Sequence, residues 1–509
     1  MSSRMRKKKS VVTTNCEKSA EAIVLRGKKN SGRAEQSQSQ VRRKKEVGTV
    51  KAENLEAGCL QMDSAEHEEY AGVQSVDSRK AEEQGGADLL ERILSRDNLN
   101  KAYKRVKSNH GAPGIDGMTI EAALPWLKEH REELLESIRK GKYKPQPVRR
   151  KEIPKPDGGI RKLGIPTVVD RIIQQAIAQE LVPIYEPLFS ESSYGYRPNK
   201  SAQQAIRKVK EYAEQGYTQA VLVDLSKYFD TLNHDLMLEL LRRTIHDERV
   251  VQLIKKYLRA GVMENGVVVR TEEGSPQGGP LSPLLANIYL NEYDQEMKKR
   301  GVPVIRYADD IVVLARSQRA AERLLESTKR YLEGKRMKLR VNAEKSRVVS
   351  VYSIRDFKFL GFALGRDKNG TYIRVHEKSR KKAKAKLKEL TSRSQGRNVR
   401  MVIQRVNALT RGWIGYFGIA CIKTLLQEWD GWLRRRLRMY IWKQWKKPRT
   451  RKINLMKLGL SEWRACEAAY SRKAYWRAAK HAGVQTAISN KRLAQAGYES
   501  ILDRYESLH

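Results

Sequence analysis

Tyr307-Ala308-Asp309-Asp310 sets two adjacent carboxylates at a break between two apolar runs, Val302 to Ile305 and Ile311 to Ala315. Neighbouring strand residues face opposite sides, so only a tight turn can aim both carboxylates at one centre. The spacing predicts a β-hairpin with the pair at its tip. A third carboxylate must come from elsewhere, and Asp224 is the candidate: it ends the apolar run Ala220-Val221-Leu222-Val223 and opens DLSKYFD. Three aspartates on neighbouring strands suit Mg²⁺, a hard cation that prefers carboxylate oxygens. Two such ions ~3.5–4 Å apart can stabilise both the attacking and the leaving oxygen of a phosphoryl transfer.

Elements able to position these residues surround them. From about 150 to 370, short apolar strands alternate with amphipathic helices such as 232–243, 281–298 and 318–333, which predicts an α+β domain. Upstream, ADLLERILSRDNLNKAYKRVK has apolar residues at helical spacing and is followed by the loop GAPGIDG. A helix around Trp126 continues to Arg139 and is broken by 143–147. Strands cease after Val375. EKSRKKAKAKLKEL then carries seven basic residues in the eleven from Lys378 to Lys388, and helical stretches follow near 398–412 and 424–445. Seven of the eight tryptophans lie between Trp413 and Trp476, interleaved with Arg434, Arg435, Arg436, Lys446, Lys447 and Arg449, the pattern of a Trp-rich helical core with solvated basic faces.

The charge balance names the class of partner. Lys and Arg number 101 against 59 Asp and Glu, a formal charge of +42, so the surface attracts polyanions and nucleic acid leads. No apolar run approaches the ~20 residues of a spanning helix and no signal-peptide core is visible, so a cytoplasmic protein without a membrane partner is expected. Cys16, Cys59, Cys421 and Cys466 stand apart, which excludes a disulfide framework and a zinc knuckle by spacing. Residues 1–85 hold one aromatic, Tyr70, and the basic runs RMRKKK and VRRKK. A disordered basic extension is expected there.

VDLSKYFD, GSPQGGPLSPLLANIYLNEYD and RYADDIVVLA, in that order and spacing, resemble motifs A, B and C of reverse transcriptases, specifically of group II intron-encoded reverse transcriptase/maturases. The likeness extends upstream to GAPGIDGMT and IPKPDGGIRKLGIPTVVDRIIQQAI, and downstream to RVNAEKSRVV, FKFLGF and LTRGWIGYFGIA, covering roughly the last four-fifths of the chain. It implies a right-hand polymerase fold of α+β class, with fingers and palm over 86–370. An α-helical thumb, the maturase domain X, is implied over 371–450, and a small helical DNA-binding tail over 451–509.

The resemblance also assigns roles. Asp224, Asp309 and Asp310 are the catalytic carboxylates and hold two Mg²⁺ ions together with the carbonyl of Leu225; the substrates are dNTPs. Phe229 stacks beneath the deoxyribose and excludes a 2′-OH by clash. The amides of Lys227 and Tyr228 cradle triphosphate oxygens. Lys155 and Arg161 flank the turn Pro156-Asp157-Gly158-Gly159 of a fingers hairpin and grip the triphosphate. Gln277 contacts the incoming nucleotide beside Gly278-Gly279, where backbone can approach closely. Lys345 protonates pyrophosphate, and Phe359 to Phe362 form the primer grip. Lys381, Lys382, Lys384 and Lys386 bind RNA.

The activity implied is RNA-directed DNA synthesis together with aid to splicing and to mobility by target-primed reverse transcription. The partners are the group II intron RNA, an RNA template with a DNA primer, and target DNA. A splicing-only maturase, or a stand-alone reverse transcriptase of phage defence or DNA repair, are the other readings. Intact aspartates, Phe229, Gln277 and Lys345 oppose the former. No paired-Cys and His cluster precedes His509, so no second-strand nuclease is expected, and second-strand primers would be borrowed from replication forks or existing breaks.

Overall fold

The computed structural model of the chain describes residues 88–154, 159–264, 267–269, 273–274 and 278–509. The described chain forms two compact units, divided between Thr371 and Tyr372.

The first unit opens with helices. The periodic stretch after Ala87 is not one helix but two, Leu89–Leu94 (α1) and Arg96–Ser108 (α2). Ser95 leaves the helical region at ψ 146°, and its hydroxyl accepts the amide of Asn98, so the residue that ends one helix caps the next. Asn98 is buried and its side-chain amide donates to the carbonyls of Ile93 and Ala176, the partners a buried amide requires. After Ile120–Arg139 (α3) come two strands, Val148–Pro154 (β1) and Ile160–Ile165 (β2), and the helix Val168–Tyr185 (α4). The loop GAPGIDG lies on the start of α4: a Cβ at Gly114 would stand 2.6 Å from the Thr167 Cα, and Arg171 donates to the Ala112 carbonyl.

The chain continues through Ala202–Glu214 (α5), Gln219–Val223 (β3), His234–Arg242 (α6), Glu248–Arg259 (α7), Val262–Glu264 (β4) and Val267–Val269 (β5). Ser282–Lys299 (α8), Val304–Tyr307 (β6), Asp310–Ala315 (β7), Gln318–Glu333 (α9), Arg347–Ser350 (β8) and Phe362–Asp367 (β9) complete the unit. One sheet has the order β2-β1-β4-β5, with β1 antiparallel to β2 and parallel to β4. The other, antiparallel throughout, has the order β6-β7-β3-β8, which puts β3, followed directly by Asp224, beside β7, which opens with Asp310.

In β7 the five residues Ile311 to Ala315 are all buried. Successive side chains point to opposite faces, so both faces of this strand are covered, which is why its sequence is continuously apolar rather than alternating. Helix α9 packs against β3 and β7, and α5 and α8 against β6. One contiguous apolar core runs from Leu89 to Val341, and Phe229 packs against its edge.

The second unit begins in the strand Gly370–Val375 (β10), the last of the chain. Its helices are Glu377–Leu390 (α10), Val399–Phe417 (α11), Lys423–Gln444 (α12), Pro448–Lys457 (α13), Glu462–Tyr470 (α14), Tyr475–Ala478 (α15), Ala482–Ala487 (α16), Asn490–Gln495 (α17) and Ile501–Glu506 (α18). Trp413, Trp429, Trp442 and Trp445 are buried, whereas Trp463 is 73% exposed. Helix α12 packs on α15 and α18. Buried Asp430 of α12 accepts the Tyr498 hydroxyl at 2.6 Å and the Ser500 hydroxyl at 3.0 Å. Helix α12, before residue 450, is thus packed against and bonded to segments after it.

The run Arg434-Arg435-Arg436 is not the solvated face that its charge suggested. Arg434 pairs with Asp430, Arg435 stacks 3.9 Å over the Trp476 ring and donates to its carbonyl, and Arg436 donates to Thr391 and to the Lys388 carbonyl. Guanidinium is weakly hydrated and planar, so aromatic faces and carbonyls within the unit satisfy it. Among the described residues no helix is long and apolar enough to cross a membrane.

Candidate active site

The hairpin of β6 and β7 turns in two residues. Tyr307 pairs with Asp310, leaving Ala308 and Asp309 as the turn. Ala308 has φ +54°, a left-handed conformation that two-residue hairpins normally give to glycine and that costs an L-residue ~1–2 kcal/mol. The tight turn is what lets neighbouring carboxylates escape strand alternation. The β-hairpin expected from YADD is thus present, with Asp309 in the turn and Asp310 opening β7.

Asp224 follows directly on β3, whose Val223 pairs with Ile311 of β7. One further step of that register brings Asp224 level with Asp310. The backbone of Asp224 is fixed from the other edge: its carbonyl accepts the Asn342 amide at 2.8 Å and its amide donates to the Ser346 hydroxyl at 3.1 Å. Ser226 donates to the Arg340 carbonyl on the same edge. Because alternate residues of an extended chain turn their amides and carbonyls to alternate edges, the carbonyl of Leu225 faces the β7 edge, where the other two aspartates lie.

The three carboxylates sense one another. Asp310 keeps an exposed edge, but loss of water around its carboxyl, followed by the negative charges of Asp309 and Asp224 and opposed by Lys358, pushes it up to about 7. Among the described residues no three acidic, His or Cys side chains already stand at mutual ion-binding distance. An all-oxygen donor set with concentrated negative charge fits a hard divalent ion. Lys345 stands 3.8 Å from the Asp224 carboxylate, so the lysine assigned by resemblance does reach this corner.

Beyond Asp224 the chain turns at Lys227, which has a left-handed φ of +49° and precedes a single 3₁₀ turn, Tyr228–Asp230. Left-handed backbone is what lets consecutive amides converge on an anion. Tyr228 is buried, its hydroxyl donating to the Ala286 carbonyl at 2.7 Å, while Phe229 stays half-exposed beside it with ring centroids 5.4 Å apart. A neighbouring pair thus divides into an anchor and a ring left available. Arg161 lies on β2 opposite Ile153. Lys155 and Gln277 lie outside the described residues. Phe359 and Phe362 bond amide to carbonyl in both directions around Leu360 and Gly361, whose φ values of +52° and +80° make a tight turn of the FLGF segment.

In the second unit the four lysines of α10 do not form one face. Spacings of three and four place Lys381 beside Lys384 and Lys382 beside Lys386, and the two pairs point in different directions. Lys381 bonds to Glu377 at 2.7 Å and Lys384 lies 5.5 Å over the Trp432 ring. Changing all four to Gln is expected to weaken intron RNA binding and to flatten its log-log salt dependence by ~0.7–0.9 for each phosphate no longer neutralised. Filter binding across a KCl series measures it, and a slope equal to the parent's removes the cluster from the RNA interface.

Residues that the sequence reading passed over also serve the centre. Arg306 of β6, in full burial, pairs with Asp294 of α8 and donates to Asn287 and to the carbonyl of Ala308 in the turn. The available signal was an arginine inside the apolar run VIRYA.

The family model described as reverse transcriptase (RNA-dependent DNA polymerase) matches residues 153–364. The model described as group II intron, maturase-specific domain, matches residues 380–459. Protein YkfC of Escherichia coli K12 is 36% identical over 321 residues, covering 55% of this chain and 84% of YkfC. The group II intron-encoded protein LtrA of Lactococcus lactis subsp. cremoris is 40% identical over 209 residues, 41% of this chain and 34% of LtrA. Among solved structures, a partial Cas6-RT-Cas1–Cas2 complex is similar at a TM-score of 0.32 and 25% identity, covering 48% of this chain and 42% of that one.

Proposed function

We propose a reaction centre and residue roles for a chain that belongs to the group II intron-encoded reverse transcriptase/maturase family. The protein is a reverse transcriptase with roles in intron splicing and mobility. Within that activity, Asp224, Asp309 and Asp310 with the Leu225 carbonyl would hold two Mg²⁺ ions, which when bound supply positive charge at the attacking 3′-oxygen and the leaving pyrophosphate. The single observation that carries this reading is the register of the sheet, in which β3 beside β7 brings Asp224 level with Asp310 and the two-residue turn sets Asp309 next to it.

The chain's own residues do the rest. Lys345, beside Asp224, carries a transferable proton and takes the general-acid role toward pyrophosphate. Lys155 and Arg161, the latter on β2, bind the triphosphate, and the amides of Lys227 and Tyr228 orient it. Gln277 meets the incoming nucleotide. The substrates are dNTPs on an RNA template with a DNA primer. Insertion by target-primed synthesis would bring target DNA as a further partner, with residues 451–509 as its contact. A purified protein that extends a DNA primer on an RNA template, with divalent ion and dNTPs, is the direct test; a protein that binds intron RNA but never extends would leave only the maturase role.

Phe229 is the selectivity element of this proposal. Its ring is half-exposed at the end of the Asp224 turn and anchored through Tyr228. Phe229→Ala is expected to lower the dNTP-to-rNTP ratio of kcat/KM by roughly tenfold or more, because discrimination by clash disappears with the ring. Steady-state single-nucleotide addition with each substrate measures it. A ratio unchanged from the parent would return Phe229 to core packing.

A further inference from the structure

The β6–β7 turn has a support that no catalytic role explains. Strand β6 is buried at all four residues, and one of them is Arg306, at 0% exposure. A buried guanidinium must be paired and bonded throughout. Here Nε donates to both Asp294 oxygens at 3.0 and 2.9 Å, and Nη2 donates to Asp294 Oδ2 at 2.6 Å. Nη1 divides between Asn287 Oδ1 at 2.9 Å and the Ala308 carbonyl at 3.0 Å. Asp294 and Asn287 are seven residues apart on α8, hence on one face of that helix. The planar fork of arginine fixes the angle between its bonds. The carbonyl of the strained turn residue is thereby referenced to a rigid helix.

The outer side of the turn is gripped as well. Asn287 Nδ2 donates to the Gly195 carbonyl at 2.8 Å, and a Cβ at Gly195 would lie 2.2 Å from the Ala308 nitrogen. The backbone of Arg306 is also pinned, its amide bonding to Ser192 and its carbonyl to Tyr194 at 2.8 Å each. Ala308 is thus held between a guanidinium and a glycine backbone, both fastened by Asn287. An apolar core would fill the same space without desolvating a charge; what an ion pair adds is orientation.

We propose that Arg306, Asn287 and Gly195 are positioning residues that set where Asp309 and Asp310 point, through a hold on the Ala308 carbonyl and amide. The inference rests on the aspartate centre proposed above. Asn287→Ala removes two bonds of the hold and leaves the Arg306–Asp294 pair; Gly195→Ala pushes the turn from the outside with the buried network intact. Each is compared with Asp309→Asn, and with Ile254→Val as a core change remote in sequence from the turn.

In proteins that still melt cooperatively and bind intron RNA as the parent does, both variants are expected to lose kcat by roughly ten- to a hundredfold, the effect of misplacing reacting groups by about 1 Å. KM for dNTP should stay near the parent value, the Mg²⁺ concentration for half-maximal rate should rise, and the Mg²⁺-induced rise in melting temperature should shrink. Ile254→Val should move none of these. Parental kcat in folded Asn287→Ala and Gly195→Ala proteins, alongside an inactive Asp309→Asn, overturns the positioning role while sparing the aspartate centre. An active Asp309→Asn overturns both.

Discussion

Asp309→Asn and Asp224→Asn proteins are expected to lose cDNA synthesis by roughly a thousandfold or more and to keep intron RNA binding close to the parent. The magnitude follows from the charge that a bound divalent ion supplies, several kcal/mol at ~1.4 kcal/mol per decade of rate. Asparagine keeps the shape of the side chain and one acceptor oxygen but loses the charge that attracts the ion. The separation of effects follows from location. The aspartates belong to the unit that ends at Thr371, whereas α10 and the tryptophan-rich helices belong to the unit that follows. Primer extension and filter binding on one preparation measure both, and retained extension by Asp309→Asn removes the metal assignment.

The second large effect is on pH. Desolvation first, then the charges of Asp309 and Asp224, push the Asp310 carboxyl up to about 7, with Lys358 pulling it down. An ion competes with that proton, so at subsaturating Mg²⁺ the rate of nucleotide addition is expected to rise about tenfold per pH unit below 7 and to level above it. Raising Mg²⁺ should move the midpoint to lower pH. Stability carries the opposite sign. A carboxyl whose folded pKa lies above its ordinary value of 3.8 contributes stability that is complete below 3.8 and is lost as pH rises through about 7. With EDTA present, the melting temperature should therefore decline between pH 5 and 8, and added Mg²⁺ should restore it more at pH 8 than at pH 6. Equal restoration at both pH values would detach the titration from the ion site.

How much of this was legible in the sequence depends on how local each signal is. The hairpin at Tyr307 to Asp310 needs only a break between two apolar runs, and the pairing of β3 with β7 brings Asp224 to it. Lys345 was reachable by resemblance alone, because the spacing that brings it near Asp224 is set by the path from Arg340 to Ser346 along the β3 edge. The partnership of Arg306 with Asn287 and Asp294 was not legible. It joins a strand to two positions on a helix; the apolar run around Arg306 marks that arginine, but nothing in the spacing names Asn287 and Asp294 as its partners. The apolar period through ADLLERILSRDNLNKAYKRVK does not reveal the break at Ser95, which the structure makes by capping the second helix. The direction of Arg434, Arg435 and Arg436 depends on where Trp476 and Thr391 end up, which charge counting does not reveal.

Asp430 has a consequence for modularity. Its carboxylate is buried in α12 and satisfied by Arg434 from its own helix and by Tyr498, Ser500 and the Ile501 amide from the end of the chain. The final segment is thus a structural part of the helix it covers, not an appendage. An exchange of terminal segments between relatives would then have to carry Tyr498 and Ser500 with it, or replace Asp430 together with them. Changes at Asp430 and at Tyr498 or Ser500 are therefore expected to be coupled, each tolerated better with the other than alone.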